Sequence, residues 1–272
     1  MTDIAYILTL PPVYKGLLAM VVAGLGFPAS GVMVLRMNLV PMRYMLMHGV
    51  ILGGAISLAL QLPLLPVSIA LNVVLVLVML HLTKDRRYGF GLASAATMVF
   101  TMAAASLVMH IWDVPAKDTL QLLWGSPFAL SWIDVLLLGG IAVLLLVYII
   151  LNFRTISALF FDQEIAQSLG MAVSLHYTTM VLIIACVIAF AMKLLGALLI
   201  DALLILPVLV ADKRSNSLKQ LFLRSCLFGL GVSLFGFLFA ITTDMPPSGT
   251  IALLSALLYL LPPISKKQGN AQ

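Results

Sequence analysis

Long, continuously apolar runs dominate this chain and restrict it to few folds. The stretch 71–80 holds one polar residue, Asn72, among nine apolar ones. Over all 272 residues, 62% are hydrophobic and 9% are charged, whereas soluble domains carry about 25% charged residues. Inside a bilayer every backbone N–H and C=O group must be paired within the protein, so spanning segments are helices or closed barrels. Because these runs do not alternate between apolar and polar residues, a barrel is excluded. The sequence predicts an all-α, polytopic membrane protein.

About nine apolar segments are long enough, or nearly so, to cross a bilayer as helices of about 20 residues. Lys193 and Gly196 interrupt the sixth and seventh of them, and fusing those two into one kinked element would give eight spans. The spans leave no room for a large soluble domain, so residues 1–272 are expected to form a single transmembrane domain. The segments are 13–35, 40–61, 65–83, 89–111, 133–152, 176–192, 196–211, 219–242 and 248–264.

Basic residues follow alternate spans, and they predict the orientation of the chain. Cytoplasmic loops carry an excess of Lys and Arg, so nine spans with an extracytoplasmic N-terminus place every basic cluster in the cytoplasm. Eight spans would put the cluster at 213–219 on the other side. The loops 61–66, 113–118 and 243–248 are short or acidic and are expected outside. The basic residues concerned are Arg36, Arg43, Lys84, Arg86, Arg87, Arg154, Lys213, Arg214, Lys219, Lys266 and Lys267.

A polar insert at 161–170, reading Phe-Asp-Gln-Glu-Ile-Ala-Gln-Ser-Leu-Gly, falls in one of the predicted cytoplasmic loops. Asp162 is suited to cap a short helix, Glu164 to its first turn, and Gly170 to its end. The insert is either a solvated connection or a helix that docks on a cytoplasmic motor. The chain has no G-x-x-x-x-G-K-[ST] nucleotide-binding motif, so active transport would need a separate ATPase.

Four segments, in the same order along the chain, resemble motifs of a known family. Segment 123–134 resembles F-G-S-x-x-x-V-S-W-x-D, and 161–170 resembles F-D-x-E-x-A-x-x-L-G. Segment 195–207 resembles V-G-x-L-L-V-S-A-L-L-I-I-P, and 244–249 resembles D-x-P-S-G. Together they resemble the permease subunits of the ABC-3 family, which are zinc, manganese and iron importers served by a metal-binding lipoprotein.

The resemblance implies an assembly as well as a fold. The chain would be the permease of an ATP-binding-cassette importer in a bacterial inner membrane, working as a homodimer with the translocation path on its axis. Two copies of a cytoplasmic ATPase would hydrolyse ATP, and an extracytoplasmic binding protein would deliver a divalent metal ion. No permanently bound cofactor, enzymatic activity or nucleic-acid partner is implied. Contact with the ATPase would involve Phe161, Asp162, Glu164, Leu169 and Gly170.

Polar residues inside the spans are the candidates for the path. In the family the second span carries D-A-L-S-H-A, and its Asp and His are interpreted as metal contacts. This chain keeps the His as His48 but has Tyr44 in place of the Asp. Asp201 stands where the family has Ser, and Lys193 where Gln is common. An ionisable residue in a span is costly, at about 2.5–3.5 kcal/mol on insertion scales, and usually faces a polar path or a partner. We therefore predict His48 and Asp201 as metal ligands, and Tyr44, Met47 and Lys193 as path residues.

Other interpretations of these residues remain open. Asp201 would otherwise have one of two roles. It would pair with Lys193, if the helix breaks at Gly196, or it would line the path without contacting the cargo. His48 would otherwise be a neutral core histidine, and the methionines near it packing residues. The cargo would alternatively be a metal chelate or a small organic molecule. A carrier of another class, driven by protons through Asp201 and His48, is the remaining alternative. Neither cysteine is expected to form a disulfide.

Overall fold

Helices account for all the regular structure in the described ranges. The computed structural model describes residues 9–83, 90–115, 117 and 125–261, with the side chain of Lys193 left out. Within these ranges there is no strand. The α-helices are α1 Pro11–Arg36, α2 Val40–Leu60, α3 Leu64–Leu82, α4 Phe90–Ile111, α5 Trp132–Leu151, α6 Phe153–Phe161, α7 Gln163–Ser168, α8 Val173–Leu195, α9 Ala197–Leu204, α10 Leu206–Asp212, α11 Leu218–Thr243 and α12 Pro247–Leu260.

The predicted all-α membrane architecture is confirmed. In the described part of the chain, seven helices (α1 to α5, α8 and α11) are long and apolar enough to cross a membrane. The shorter α12 matches the ninth predicted segment. The seventh segment, 196–211, is not one helix but two, α9 and α10, separated at Ile205. The interruption has a local cause, since Pro207 has no N–H with which to continue the hydrogen-bond ladder of α9.

The ends of the broken segment decide between eight and nine crossings. Arg36, Phe161 and Ser215 line one cavity of about 330 Å³, so the ends of α1, α6 and α10 lie at the same side of the bundle. The chain leaves that side after α7 along α8 and returns to it through α9 and α10. Residues 173–212 therefore cross the bundle twice, which agrees with the nine-segment arrangement and not with a fused element.

Helix α1 lies at the centre of the bundle and packs closely against α11, α5 and α9. Small residues allow this approach, as is common between helices in membranes. A Cβ added to Gly24 would lie 2.8 Å from the carbonyl oxygen of Gly229 in α11. A Cβ on Gly31 would lie 1.7 Å from the carbonyl oxygen of Leu204. Contact at Gly31 fixes the end of α9, the helix that carries Asp201.

Two of the motifs singled out in the sequence meet at the turn between α8 and α9. Gly125 and Gly196 both have positive φ, +53° and +85°, a region that favours glycine. A Cβ on Gly125 would lie 2.3 Å from the backbone nitrogen of Gly196. Further along the first motif, Ser131 and Asp134 form a capping box that begins α5. These motif residues therefore determine the local shape of the backbone.

The orientation can be tested by labelling single cysteines. Cys186 and Cys226 are both free thiols, as expected, so a cysteine-free background requires no disulfide to be broken. Cysteine placed at the exposed positions Arg154 or Lys213 should react with an impermeant maleimide only after the membrane is opened. Cysteine placed at exposed Asp244 should react in intact cells. Reaction of position 154 from outside intact cells would overturn the predicted orientation.

Candidate functional site

One side of α2 carries two of the predicted path residues and one of the predicted metal ligands. Tyr44, Met47 and His48 are spaced i, i+3 and i+4, so they share a helix face. Tyr44 is 45% exposed, and Met47 and His48 are half-buried. The intervening residues Met45 and Leu46 are fully buried. The three side chains therefore lie on the side of α2 that the described part of the chain leaves uncovered.

An ion pair inside the bundle joins α2 to α9. The guanidinium of Arg43 donates to a carboxylate oxygen of Asp201, and its central carbon lies 4.4 Å from the centroid of the Tyr44 ring. The side chain of Arg43 is 4% exposed and that of Asp201 is 33% exposed. Charges in an apolar bundle need opposite charges nearby. Contacts therefore run from Asp201 through Arg43 to the ring of Tyr44. His48 lies one helical turn beyond Tyr44.

The structure corrects the prediction that Arg43 belongs to a cytoplasmic loop. Helix α2 begins at Val40, with Pro41 in its first turn where proline is well tolerated, so Arg43 is already helical and buried. A signal was available, because Asp201 in an apolar run needs a counter-charge and Arg43 lies inside the predicted span 40–61. The pairing itself was missed, since the two residues are 158 positions apart in sequence.

The pairing of Asp201 with Lys193 stays untested, because the side chain of Lys193 lies outside the described residues. The helix does break at Gly196, as that pairing requires. No group of three or more His, Cys, Asp or Glu side chains comes together in the described ranges. A full metal coordination shell built on His48 and Asp201 would therefore need water, ligands carried by the cargo, or a second copy of the chain.

The polar insert forms a capped helix, α7. The carboxylate of Asp162 accepts hydrogen bonds from the backbone N–H groups of Glu164 and Ile165, at 2.8 and 3.0 Å. Gly170 has φ of +77°, and its N–H donates to the carbonyl of Gln167 at 3.0 Å. The sequence predicted both the cap and the terminating glycine, and both predictions are confirmed.

Apolar side chains on this segment point away from the bundle. Phe161 is 84% exposed, Leu169 67% and Ile165 48%, whereas Ala166 is fully buried. Beside them, an open recess of about 1090 Å³ is lined by residues of α7 and of the start of α8, including Gln163. Exposed apolar residues clustered on an otherwise polar segment are typical of a protein–protein contact.

The fold and these two sites define a class of protein. A bundle of many apolar helices, with a broken helix that carries an ion pair inside the bundle, is typical of transport proteins. Residues 10–265 match the model of the ABC 3 transport family. The chain therefore belongs to that family and is a multi-pass membrane permease.

Individual relatives are similar over most of their length. The manganese import system permease protein ScaB of Streptococcus gordonii is 24% identical over 247 residues, which cover 91% of this chain and 88% of that protein. Among solved structures, PsaBC from Streptococcus pneumoniae in complex with Fab aligns with a TM-score of 0.81 and 22% identity, covering 94% and 93% of the two chains. A second, described as an inward-facing ABC transporter of the metal-chelate type, aligns with a TM-score of 0.74 and 18% identity, covering 90% and 83%.

Proposed function

We propose that this chain is the permease subunit of an ATP-driven importer for a divalent transition metal ion, with manganese as the first cargo to test. The observation that carries the proposal is the exposed, capped helix α7 on a chain that belongs to an ABC transport family. The exposed apolar side chains of this helix are suited to bind a separate ATPase. Manganese import by a relative that aligns with 91% of this chain supports the choice of cargo.

The cargo would pass the uncovered face of α2. A divalent cation in a low-dielectric region needs negative charge and suitable ligands along its path. His48 offers a ring nitrogen, and Asp201 offers a carboxylate once the cation displaces the Arg43 guanidinium. Two copies of the chain, facing each other across a dimer axis, would double these ligands. The extracytoplasmic binding protein would load this path from outside.

Uptake by the reconstituted complex tests the proposal. The permease, its ATPase and its binding protein would be placed in proteoliposomes, and uptake of radiolabelled Mn²⁺ would be followed with and without ATP. We expect ATP-dependent accumulation that excess unlabelled Mn²⁺ suppresses. Competition with Zn²⁺ and Fe²⁺ ranks the three metals. Accumulation that follows a proton gradient and ignores ATP would instead support the proton-coupled carrier.

A metal chelate is the second candidate cargo, and one observation favours it. The Nε atom of Arg43 is buried and has no hydrogen-bond partner among the described groups. A buried donor without a partner is costly, and an acidic group on a chelator would satisfy it. The same liposomes distinguish the two cargoes, since a chelate importer would take up the metal only when a chelator is supplied.

A further inference from the structure

An apolar groove runs between α11 and α12 on the surface of the bundle. Its volume is about 280 Å³. The α11 wall follows one helical stripe, because its residues are spaced i, i+1, i+4, i+5 and i+8. A Cβ on Gly231 would meet no atom within 4 Å, so the glycine leaves the groove open at its middle. The lining residues include Leu227, Phe228, Gly231 and Phe235 from α11 and Leu254 and Leu258 from α12.

Three basic residues lie near one end of this groove. The guanidinium carbon of Arg214 lies 5.6 Å from the ring centroid of Phe228, which lines the groove. The ammonium of Lys213 lies 4.0 Å from the ring centroid of Tyr259, the neighbour of Leu258. Arg224 lies one turn before Phe228 on the same stripe of α11. Arg224 therefore belongs to α11, which forms one wall of the groove. Arg214 stacks on a lining residue, and Lys213 stacks on the neighbour of one.

The charge at this end is not neutralised nearby by the described acidic residues. Asp212 precedes Lys213 in sequence, but its carboxylate is paired with Arg36 at 2.7 Å. Among the described residues, Lys213, Arg214 and Arg224 take part in no ion pair. The basic end also lies at the side of the bundle that carries α7, because Arg36 and Ser215 line the same cavity as Phe161.

We propose that this groove binds an anionic phospholipid of the cytoplasmic leaflet. The phosphate would lie among Lys213, Arg214 and Arg224, and one acyl chain would follow the stripe past Gly231. Basic pockets next to apolar helix surfaces on the cytoplasmic side recognise acidic headgroups in this way. A soluble acidic protein segment would use the charges but would leave the apolar groove empty.

The lipid would bridge the end of α10 and the start of α11, two helices that pack against each other. Lys213 and Arg214 directly follow α10, the second half of the broken span, and Arg224 belongs to α11. A phosphate bound by all three would restrain the cytoplasmic end of the span that carries Asp201. Anionic lipid would therefore stabilise the broken span in one position.

Native mass spectrometry of the full-length protein tests the lipid site. Wild-type protein, exchanged into detergent with equal amounts of phosphatidylglycerol and phosphatidylcholine, should retain the anionic lipid preferentially. Each basic residue near an anionic lipid surface contributes about fivefold to binding, so Lys213→Gln/Arg224→Gln should lower retention of phosphatidylglycerol about thirtyfold. The matched control, Arg154→Gln/Lys219→Gln, removes two positive charges at the same side of the bundle. This control should retain phosphatidylglycerol as the wild type does.

Gly231→Leu tests the acyl chain separately from the headgroup. The side chain enters empty space, so folding is expected to be unaffected, and retention of both lipids should fall. Unchanged retention would show that no acyl chain occupies the groove. An equal loss of phosphatidylglycerol from the control pair would show a general charge effect. Retention of glycerol phosphate equal to that of phosphatidylglycerol would show a site for a free anion. Binding of the ATPase that depends on Lys213 and Arg224, with lipid retention unchanged, would assign the cations to protein contact. Each of these four results overturns the proposal.

Discussion

Replacing Asp201 with Asn is expected to abolish most cargo transport and to impair assembly of the complex. Replacing Arg43 with Gln in the same chain is expected to restore assembly but not transport. In Asp201→Asn the guanidinium of Arg43, only 4% exposed, loses its counter-charge. Removing one partner of a buried ion pair destabilises a protein by about 3–5 kcal/mol. The yield of the purified complex should therefore fall along with transport.

The double substitution separates the two effects. In Arg43→Gln/Asp201→Asn neither charge remains, and two amide groups can hydrogen-bond where the ion pair was, so the yield should approach that of the wild type. Transport should stay low, because the carboxylate that the cargo needs is still absent. Introducing Tyr44→Asp into Asp201→Asn restores a carboxylate next to Arg43 and should recover part of the uptake.

Asp212→Asn is the matched control, since it makes the same change in the same broken span. The pair of Asp212 with Arg36 has both side chains 44% exposed, and exposed pairs contribute up to about 1 kcal/mol. Yield and uptake of Mn²⁺ should stay near those of the wild type. If Arg43→Gln/Asp201→Asn transports as well as the wild type, Asp201 serves only as the counter-ion of Arg43, and the metal-ligand assignment is wrong.

Local chemistry made much of the fold predictable. Long apolar runs allow little but helices in lipid, so the segments were located within a few residues. The cap at Asp162 and the breaks at Gly196 and Gly170 depend on side-chain and backbone properties of single residues, which a sequence displays directly. The division of the seventh segment at Ile205 was not predicted, although Pro207 marks it.

Contacts between distant residues were beyond a single sequence. Nothing in the local pattern shows that Gly31 meets Leu204, or that Gly125 meets Gly196. The same limit hid the partner of Asp201. Apolar runs are uniform in character, so they predict that a helix is buried without specifying which helix it packs against. The candidate site was therefore found as separate residues, and only the fold connects them through Arg43.

Replacing Phe161 and Leu169 with Ser is expected to abolish stimulation of the partner ATPase while leaving the permease folded. Both side chains are mostly exposed, at 84% and 67%, so the bundle loses almost no packing. In a complex, however, such apolar anchors supply most of the binding energy, often 2 kcal/mol or more each. ATPase activity of the reconstituted complex should fall to the level of the ATPase alone.

Met245→Ser is the matched control for this pair. Met245 is also apolar and 52% exposed, but it lies in the turn between α11 and α12, at the predicted extracytoplasmic side. Its replacement should leave ATPase stimulation and co-purification unchanged. Loss of stimulation in the control would show that replacing an exposed apolar side chain far from α7 is enough to impair the complex.

A second variant tests the shape of the segment rather than its apolar surface. Glu164→Pro removes an N–H that donates to Asp162, and Gly170→Pro replaces a residue with φ of +77° by one fixed near −65°. The loss of one capping hydrogen bond at Asp162 and of the left-handed turn at Gly170 should distort both ends of α7, while the spans still insert in the membrane. Stimulated ATPase activity should disappear in this variant too. Full stimulation in both the Ser pair and the Pro pair would show that the segment is a solvated connection and that the ATPase binds elsewhere.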